Sequence, residues 1–587
     1  MTILRTWAPE AARVRVRVEA AGAAQDHEMA RDCGGWWWAD VPEAGPGADY
    51  GFLLGENDAV LPDPRSAWQP HGVHEPSRLV DHGAYDWSDD RWRGVPLAGS
   101  VLYEMHVGTF TAEGTFDAAV ERLDHLVDLG VDLVEVMPVH AFDGERGWGY
   151  DGVSLWAVHD PYGAPDGLKR FVDACHGRGL GVVLDVVYNH LGPSGNYLSR
   201  FGPYFTEKHT TPWGPAVNLD DEGSDEVRAW IVENALMWLR DYHVDGLRLD
   251  AVHELVDDRA THLLEELGAA VDALAAATGR HLFCVAESDL NDPRVVMPRE
   301  AGGYGLAASW DDDVHHALHA LLTGEDHGYY ADFAADPYAA VEAVFTRAYF
   351  HDGTWSSFRG RHHGVPVDTA RTPGSRFVVC TQNHDQVGNR ATGDRTSATC
   401  SPGLLMVGAA LLLTSPFTPM LFMGEEWGAR TPFAFFSSFP DPRLGRVVRE
   451  GRRSEFAEYD WDPSQVPDPQ HPDTHRRSVL DWSEVEREPH AGLLELHRRL
   501  IRLRRARPEL ADPRLDRVAV RHDRAARWLV VSRGPLRVAC NLASDRQEVP
   551  VDGTPRDVLL ASAAGFAYRD GAIALDGESV AVVELAR

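Results

Sequence analysis

The 587-residue chain is 44% hydrophobic and 25% charged, the composition of folded globular protein, which excludes the disordered and fibrous classes. Its length exceeds what one core supports and predicts about three or four domains. A net charge of −34, from 56 Lys+Arg against 90 Asp+Glu, argues against nucleic acid or an anionic membrane as partner and favours a neutral ligand.

The start, MTILRTWAPEAARV, has no basic segment leading into an apolar one, so no signal peptide is expected. The longest apolar run, around MVGAALLLTSPF, is too short to span a bilayer and contains Gly and Pro. Cys33, Cys175, Cys284, Cys380, Cys400 and Cys540 lack metal-ligand spacing and suit a reducing cytoplasm, which is the expected location.

From Arg13 to about Asp90, short alternating runs (RVRVRVEA, GWWWADVPE, YGFLLGE) are broken by Gly, Pro and Asp and predict a small β domain. Trp36, Trp37 and Trp38 could offer a sugar platform. At least one of three consecutive strand residues must face inward, so core packing is the preferred reading.

From Val101 the rhythm changes. VLYEMHV, VDLVEVMPV, LGVVLDVVYNH, VDGLRLDAVHE and HLFCVAESD are apolar strands separated by helical stretches such as SDEVRAWIVENALMWLRDYH, and RFVVCTQNHD and SPFTPMLFMGEEW supply the last two strands. Continuous apolar strands spaced by helices indicate a parallel sheet buried on both faces. The number of units points to a closed (β/α)8 barrel. After Glu486, GLLELHRRLIRLRRARPEL predicts helix, with its basic residues on a solvated face, and alternating strands then run to the C-terminus. The expected fold is therefore α/β. An immunoglobulin-like β-sandwich covers 1–95, the barrel 96–510 and a second β-sandwich 511–587.

Within GLRLDAVHE, Arg248 and Asp250 share a face of an otherwise apolar strand. Opposite charges there are costly unless paired or used. Other polar groups gather at predicted strand ends: Asp185, Asn189 and His190 in DVVYNH, His253 in LDAVH, Glu287 in VAESD, and His384 with Asp385 in QNHD. In a barrel these ends converge on one mouth, where active sites form. Carboxylates from three strands, without a Cys/His ligand set, suit cleavage of a glycosidic bond by a nucleophile and an acid. Asp250 beside Arg248 should stay anionic, and Glu287 after the apolar LFCVA should keep a proton.

DVVYNH, GLRLDAVH, VAESD and QNHD together resemble the four signature regions of the α-amylase superfamily of glycoside hydrolases, over roughly Leu102 to Glu426. The resemblance implies Asp250 as nucleophile, Glu287 as general acid/base and Asp385 as the third carboxylate. It also implies Arg248, His190 and His384 around the cleaved bond, Tyr150 of GWGYDG as aromatic floor, and substrate contacts from Leu249, Ala251, Val252 and His253 beside the nucleophile. Longer stretches (YNHLGPSGNYL, TPWGPAVNLD, AESDLNDPR, QNHDQVGNR, GEEWGARTPFAFFSSF) are similar to the maltooligosyltrehalose trehalohydrolase family. That family cuts the α-1,4 bond next to a terminal trehalose.

This finer resemblance implies two more binding segments. One is Asp312, Asp313, Val314, His315 and His316 of WDDDVHH. The other is His384 to Asn389, with Gln386, Val387, Gly388 and Asn389. Adjacent residues of one segment rarely converge on one ion, so WDDDVHH is not read as a metal site, and no cofactor is expected. The expected ligand is a neutral α-glucan oligosaccharide with a trehalose end. One departure stands in PYGAPDG, where Ala164 replaces a family glycine and could shift a loop at the barrel mouth. A glycogen branching or debranching enzyme is the rival within the superfamily, and a catalytically inactive glycan-binding protein the rival outside it.

Overall fold

A computed structural model describes residues 2–20, 22–457, 465–569 and 571–586. At its centre is a closed barrel of eight parallel strands: β1 (Leu102–Met105), β2 (Leu133–Val136), β3 (Gly181–Val186), β4 (Gly246–Leu249), β5 (Phe283–Ala286), β6 (Ala308–Trp310), β7 (Phe377–Cys380) and β8 (Thr418–Phe422). β8 pairs with β1 and closes the ring. The closed eight-stranded barrel is present as expected; seven of its strands lie in the stretches read as strands, and β6, only three residues long, was not among them.

The two-residue period of a strand sorts the barrel side chains. Leu102, Leu133, Val183, Phe283, Val285, Ala308, Val378 and Met420 pack together inside the barrel as an apolar plug. Tyr103, Val134, Leu184 and Leu247 join the larger core outside it, against the helices. One inward step above the plug the residues turn polar: Glu104 beside Glu135, and Asp185 beside Arg248 in strand register. All four are at most 1% exposed. The chemistry therefore stands on a packed floor.

Before the barrel lie two antiparallel sheets, one of Ile3–Trp7, Trp36–Asp40 and Ala30–Arg31, the other built on Val14–Ala20 paired with Ala23–Glu28 and Asp49–Leu54. Trp37 is buried there while Trp38 faces outward at 45% exposed, as alternation requires. The segment joining this region to the barrel is clasped by charge. His176 bonds Asp89 (2.7 Å) and Asp245 (3.0 Å), and Asp245 also accepts from Trp92 Nε1 (2.7 Å) and Arg280 (3.1 Å). After the barrel, Val518–Asp523, Trp528–Arg533, Leu536–Asn541, Ser579–Leu585 and Pro555–Ala561 form a five-stranded sheet beside a three-stranded one.

Two expectations need correction. Helix His490–Ala506 is not solvated at all its basic positions: Arg504 is buried and donates to the carbonyls of Leu413, Ser415, Leu510 and Phe417. Those carbonyls sit where a helix end and a strand start leave them without backbone partners. Ala164 opens helix Ala164–His176 with φ +58°, a conformation that glycine adopts without strain. Its surroundings are a groove shared with Trp68, Leu79 and Tyr85, rather than the site described next.

Candidate active site

Arg248 organises the mouth of the barrel. It is fully buried, and its Nη1 donates to Asp185 Oδ2 (2.8 Å) and Asp250 Oδ1 (2.7 Å), while Nη2 lies 3.5 Å from Glu287 Oε2. Its guanidinium also sits over the Trp310 ring at 4.3 Å. One cation thus serves three carboxyl groups from three adjacent strands. Burial pushes the Asp250 carboxyl up, but the charges of Arg248 and His190 and hydrogen bonds from Asn189 and Arg248 outweigh it and hold Asp250 below its usual range. For Glu287 the balance reverses: burial dominates, Asp250 adds to it, and the proton is held more tightly than usual despite Arg248. Asp185, deepest of the three, is pushed by burial up to about 7.

Backbone geometry fixes the pair. The Glu287 N–H donates to Leu249 O (2.9 Å) and the Val252 N–H to Glu287 O (2.9 Å), so the ends of β4 and β5 are tied together. Between these bonds Ala251 adopts φ +38°, ψ +54°, and its N–H donates to Glu287 Oε2 at 2.6 Å. Such a conformation is costly for a residue with a side chain and persists only where its surroundings enforce it. On the other side, Asn189 Nδ2 donates to Asp250 Oδ2 (2.8 Å) and to the Asp250 carbonyl (2.7 Å).

The remaining groups surround these two carboxyls in a cleft of about 510 Å³. Tyr150 donates to Asp185 Oδ2 (2.6 Å), and its ring stacks on His384 at 5.0 Å. Asp385 faces the cleft with its side chain 43% exposed and accepts from Asn389 Nδ2 (3.1 Å). His190 and His253 also line the cleft, His190 stacked on Trp213 at 4.1 Å.

Other candidate residues stand behind this wall. Leu249 and Val252 are core residues whose contribution is backbone pairing. Asp312 opens helix Asp312–Thr323 near Glu287 and Asp385, and burial, then these charges, push it up to about 8. Asp313 turns away from the cleft: Oδ2 accepts from Asn291 Nδ2 and from the N–H groups of Phe350 and His351, each at 2.8 Å. Val314 is fully buried in the core, His315 bonds Tyr330 (3.1 Å), and His316 packs on Tyr329 and Phe333. A helix can present only one stripe to the cleft, so five successive residues cannot all reach substrate. Similarly, in the short helix His384–Gly388, Val387 is a core residue and Gly388 lies against Trp148, where a Cβ would meet the indole at 2.1 Å. Gln386 is 3.4 Å from the Tyr329 hydroxyl.

Several lining residues went unread in the sequence. Trp148 and Asp151 flank Tyr150 in GWGYDG, and Trp213 sits in TPWGPAV, so aromatic spacing could have found them. Phe435, Val448 and Arg452 come from the segment after β8, and Arg452 donates to Gly388 O (2.6 Å). Val448 and Arg452 lie on the amphipathic helix Pro442–Ala457, whose local pattern does not say that it borders the cleft. Among the described residues, the side chains close enough to share a cation are His209, Asp220 and Asp258, none of which lines the cleft. There the Lys208 ammonium already lies 2.9 Å from Asp220.

Two carboxyl groups flanking one cleft beside the same guanidinium, one held below its usual range and the other pushed above it, suit attack on and protonation of an acetal bond. Comparisons with known proteins agree with this chemistry. The alpha amylase catalytic domain family matches residues 81–210, and a domain family of unknown function matches residues 513–582. The malto-oligosyltrehalose trehalohydrolase of Arthrobacter ramosus is 56% identical over 581 residues, covering 99% of each chain. A crystal structure from Salmonella typhimurium, assigned provisionally as an alpha amylase, superposes with TM-score 0.90 at 39% identity, covering 100% of this chain and 97% of that one. A 1,4-alpha-glucan branching enzyme of Corynebacterium jeikeium is more distant, 28% identical over 72% of this chain and 60% of its own.

Proposed function

Because the chain belongs to the malto-oligosyltrehalose trehalohydrolase family of glycoside hydrolases, we propose that it hydrolyses the α-1,4-glucosidic bond next to the terminal trehalose of maltooligosyltrehalose. The products are trehalose and a maltooligosaccharide. Asp250 attacks the anomeric carbon while Glu287 protonates the leaving oxygen of the trehalose unit. The resulting glycosyl ester on Asp250 is then cleaved by water, with Glu287 taking the water's proton. Asp385 binds sugar hydroxyls, and Arg248 keeps Asp250 ionised. The observation that carries this reading is the shared guanidinium of Arg248, which lies against both Asp250 and Glu287, with Asp250 held below its usual range and Glu287 pushed above it by burial.

The cytoplasm is the proposed location, since all six cysteines are free and five are buried. Among the described residues no helix is long and apolar enough to cross a membrane. The branching-enzyme reading shares the barrel and the carboxylates and differs in product. Incubation with maltooligosyltrehalose and, separately, with amylopectin distinguishes them. Free trehalose from the first and no change of branching in the second are expected. New α-1,6 branches, or cleavage of existing ones, without trehalose release would defeat the assignment.

A further inference from the structure

Beneath the cleft, Glu104 carries no role in the reaction as written, yet it faces one of the cleft's own side chains. It is 1% exposed on β1, one inward step above the apolar plug. Its two carboxylate oxygens divide between two donors of one residue: Oε2 accepts the His384 backbone N–H at 2.9 Å, and Oε1 meets His384 Nδ1 at 2.5 Å. The opposite ring nitrogen, Nε2, lies 3.5 Å from Asp385 Oδ2 and borders the cleft. The ring has little freedom otherwise, with Tyr150 stacked on one face and Trp148 edge-on at 5.8 Å.

We propose that Glu104 is a positioning residue for the hydrolysis proposed above: by gripping both N–H groups of His384 it fixes the ring and leaves Nε2–H as the donor offered to Asp385 and to a substrate hydroxyl. A neutral imidazole whose single proton sat on Nδ1 would offer a lone pair at Nε2 instead. The bound proton count therefore matters. Burial alone would pull His384 down, but Asp385 and Glu104 outweigh it and push it up to about 9. The other charged or titratable groups near the ring are Arg248 on β4, Asp185 on β3, Glu135 on β2, Tyr150 and His106. Burial pushes Glu135 well up and pulls His106 down to about 3, in each case disfavouring the charged form. That leaves Glu104 and Asp385 to hold the proton against Arg248.

Glu104→Gln keeps the shape and one acceptor oxygen and removes the anion. In the full chain with 15N-labelled histidine rings, the His384 resonances, assigned by their loss in His384→Asn, should titrate with a midpoint lower by at least about one pH unit than in the native enzyme. The ratio of variant to native kcat/KM for maltooligosyltrehalose should fall as pH rises through that lower midpoint, with KM rising more than kcat drops. Glu104→Asp should recover part of both effects. Titration of Glu287 is common to both enzymes and cancels in the ratio. An unchanged midpoint, or a loss of activity equal at every pH as from a merely structural contact, overturns the role of Glu104. Native enzyme that releases no trehalose would strike at the substrate reading instead, and the ring titration would still test the pairing.

Discussion

At the scale of residues, the site turns on Arg248, a cation with no solvent contact among carboxyls that would otherwise repel one another. It lets Asp250 remain an anion in a place where burial alone would protonate it. Replacing Arg248 by Ala should therefore raise the Asp250 pKa. Since activity requires the ionised form, the acidic limb of the kcat/KM profile should move to higher pH. A limb that stays in place would show that Asp250 owes its charge to Asn189 and His190 instead. The pattern of Arg and Asp two apart in an apolar strand was legible because strand alternation is rigid. What alternation could not supply is Ala251, whose left-handed backbone turns the chain just after Asp250 and whose amide donates to Glu287. That feature depends on the register between β4 and β5, and no single segment encodes it.

Elements show a different balance. Seven of the barrel strands were legible as apolar runs because both of their faces are covered, and the inward polar residues stood out within them; the three-residue β6 was too short to show. WDDDVHH, expected as a binding segment, opens a helix behind the cleft wall. Once it forms a helix, Asp313 is spent on the N–H groups of Phe350 and His351, a long-range contact that local pattern cannot announce. The linker clasp is of the same kind: Asp89, His176 and Asp245 are 87 and 69 residues apart and meet with side chains at most 5% exposed. Burial pulls His176 down, but Asp245 and Asp89 raise it above its ordinary 6.5. The stability it gives is therefore full below that value and is lost as pH rises through the higher folded-state value. His176→Gln should cost about 3–5 kcal/mol at pH 6 by urea unfolding, and less as pH rises through the folded-state value. An unfolding free energy lowered equally at every pH would mean that packing against Trp92, stacked at 4.4 Å, is what matters.

For the whole molecule, charge and architecture set the frame. The net charge of −34 leaves a protein suited to a neutral substrate, and the barrel delivers polar groups from β1, β3, β4, β5 and the segment after β7 to one mouth. Arg504 ties helix His490–Ala506 to the turn that leads into β8 through the carbonyls of Leu413, Ser415 and Phe417, and to the Leu510 carbonyl, a junction hidden in the sequence inside a basic run. The long matching stretches gave the family and the apolar strands gave the barrel. That Phe435, Val448 and Arg452 line the cleft came only from the fold. The central claim is that Asp250 becomes covalently bonded to sugar and that Glu287 is the acid/base. Glu287→Gln, given a maltooligosyl fluoride whose leaving group needs no proton, should form the glycosyl ester and then fail to hydrolyse it, with steady turnover down by about 10²–10⁴-fold. Intact-mass measurement should show one added maltooligosyl unit, and peptide mapping should locate it on Asp250. An adduct on another residue, or native enzyme releasing the maltooligosaccharide with inverted anomeric configuration, would contradict the account.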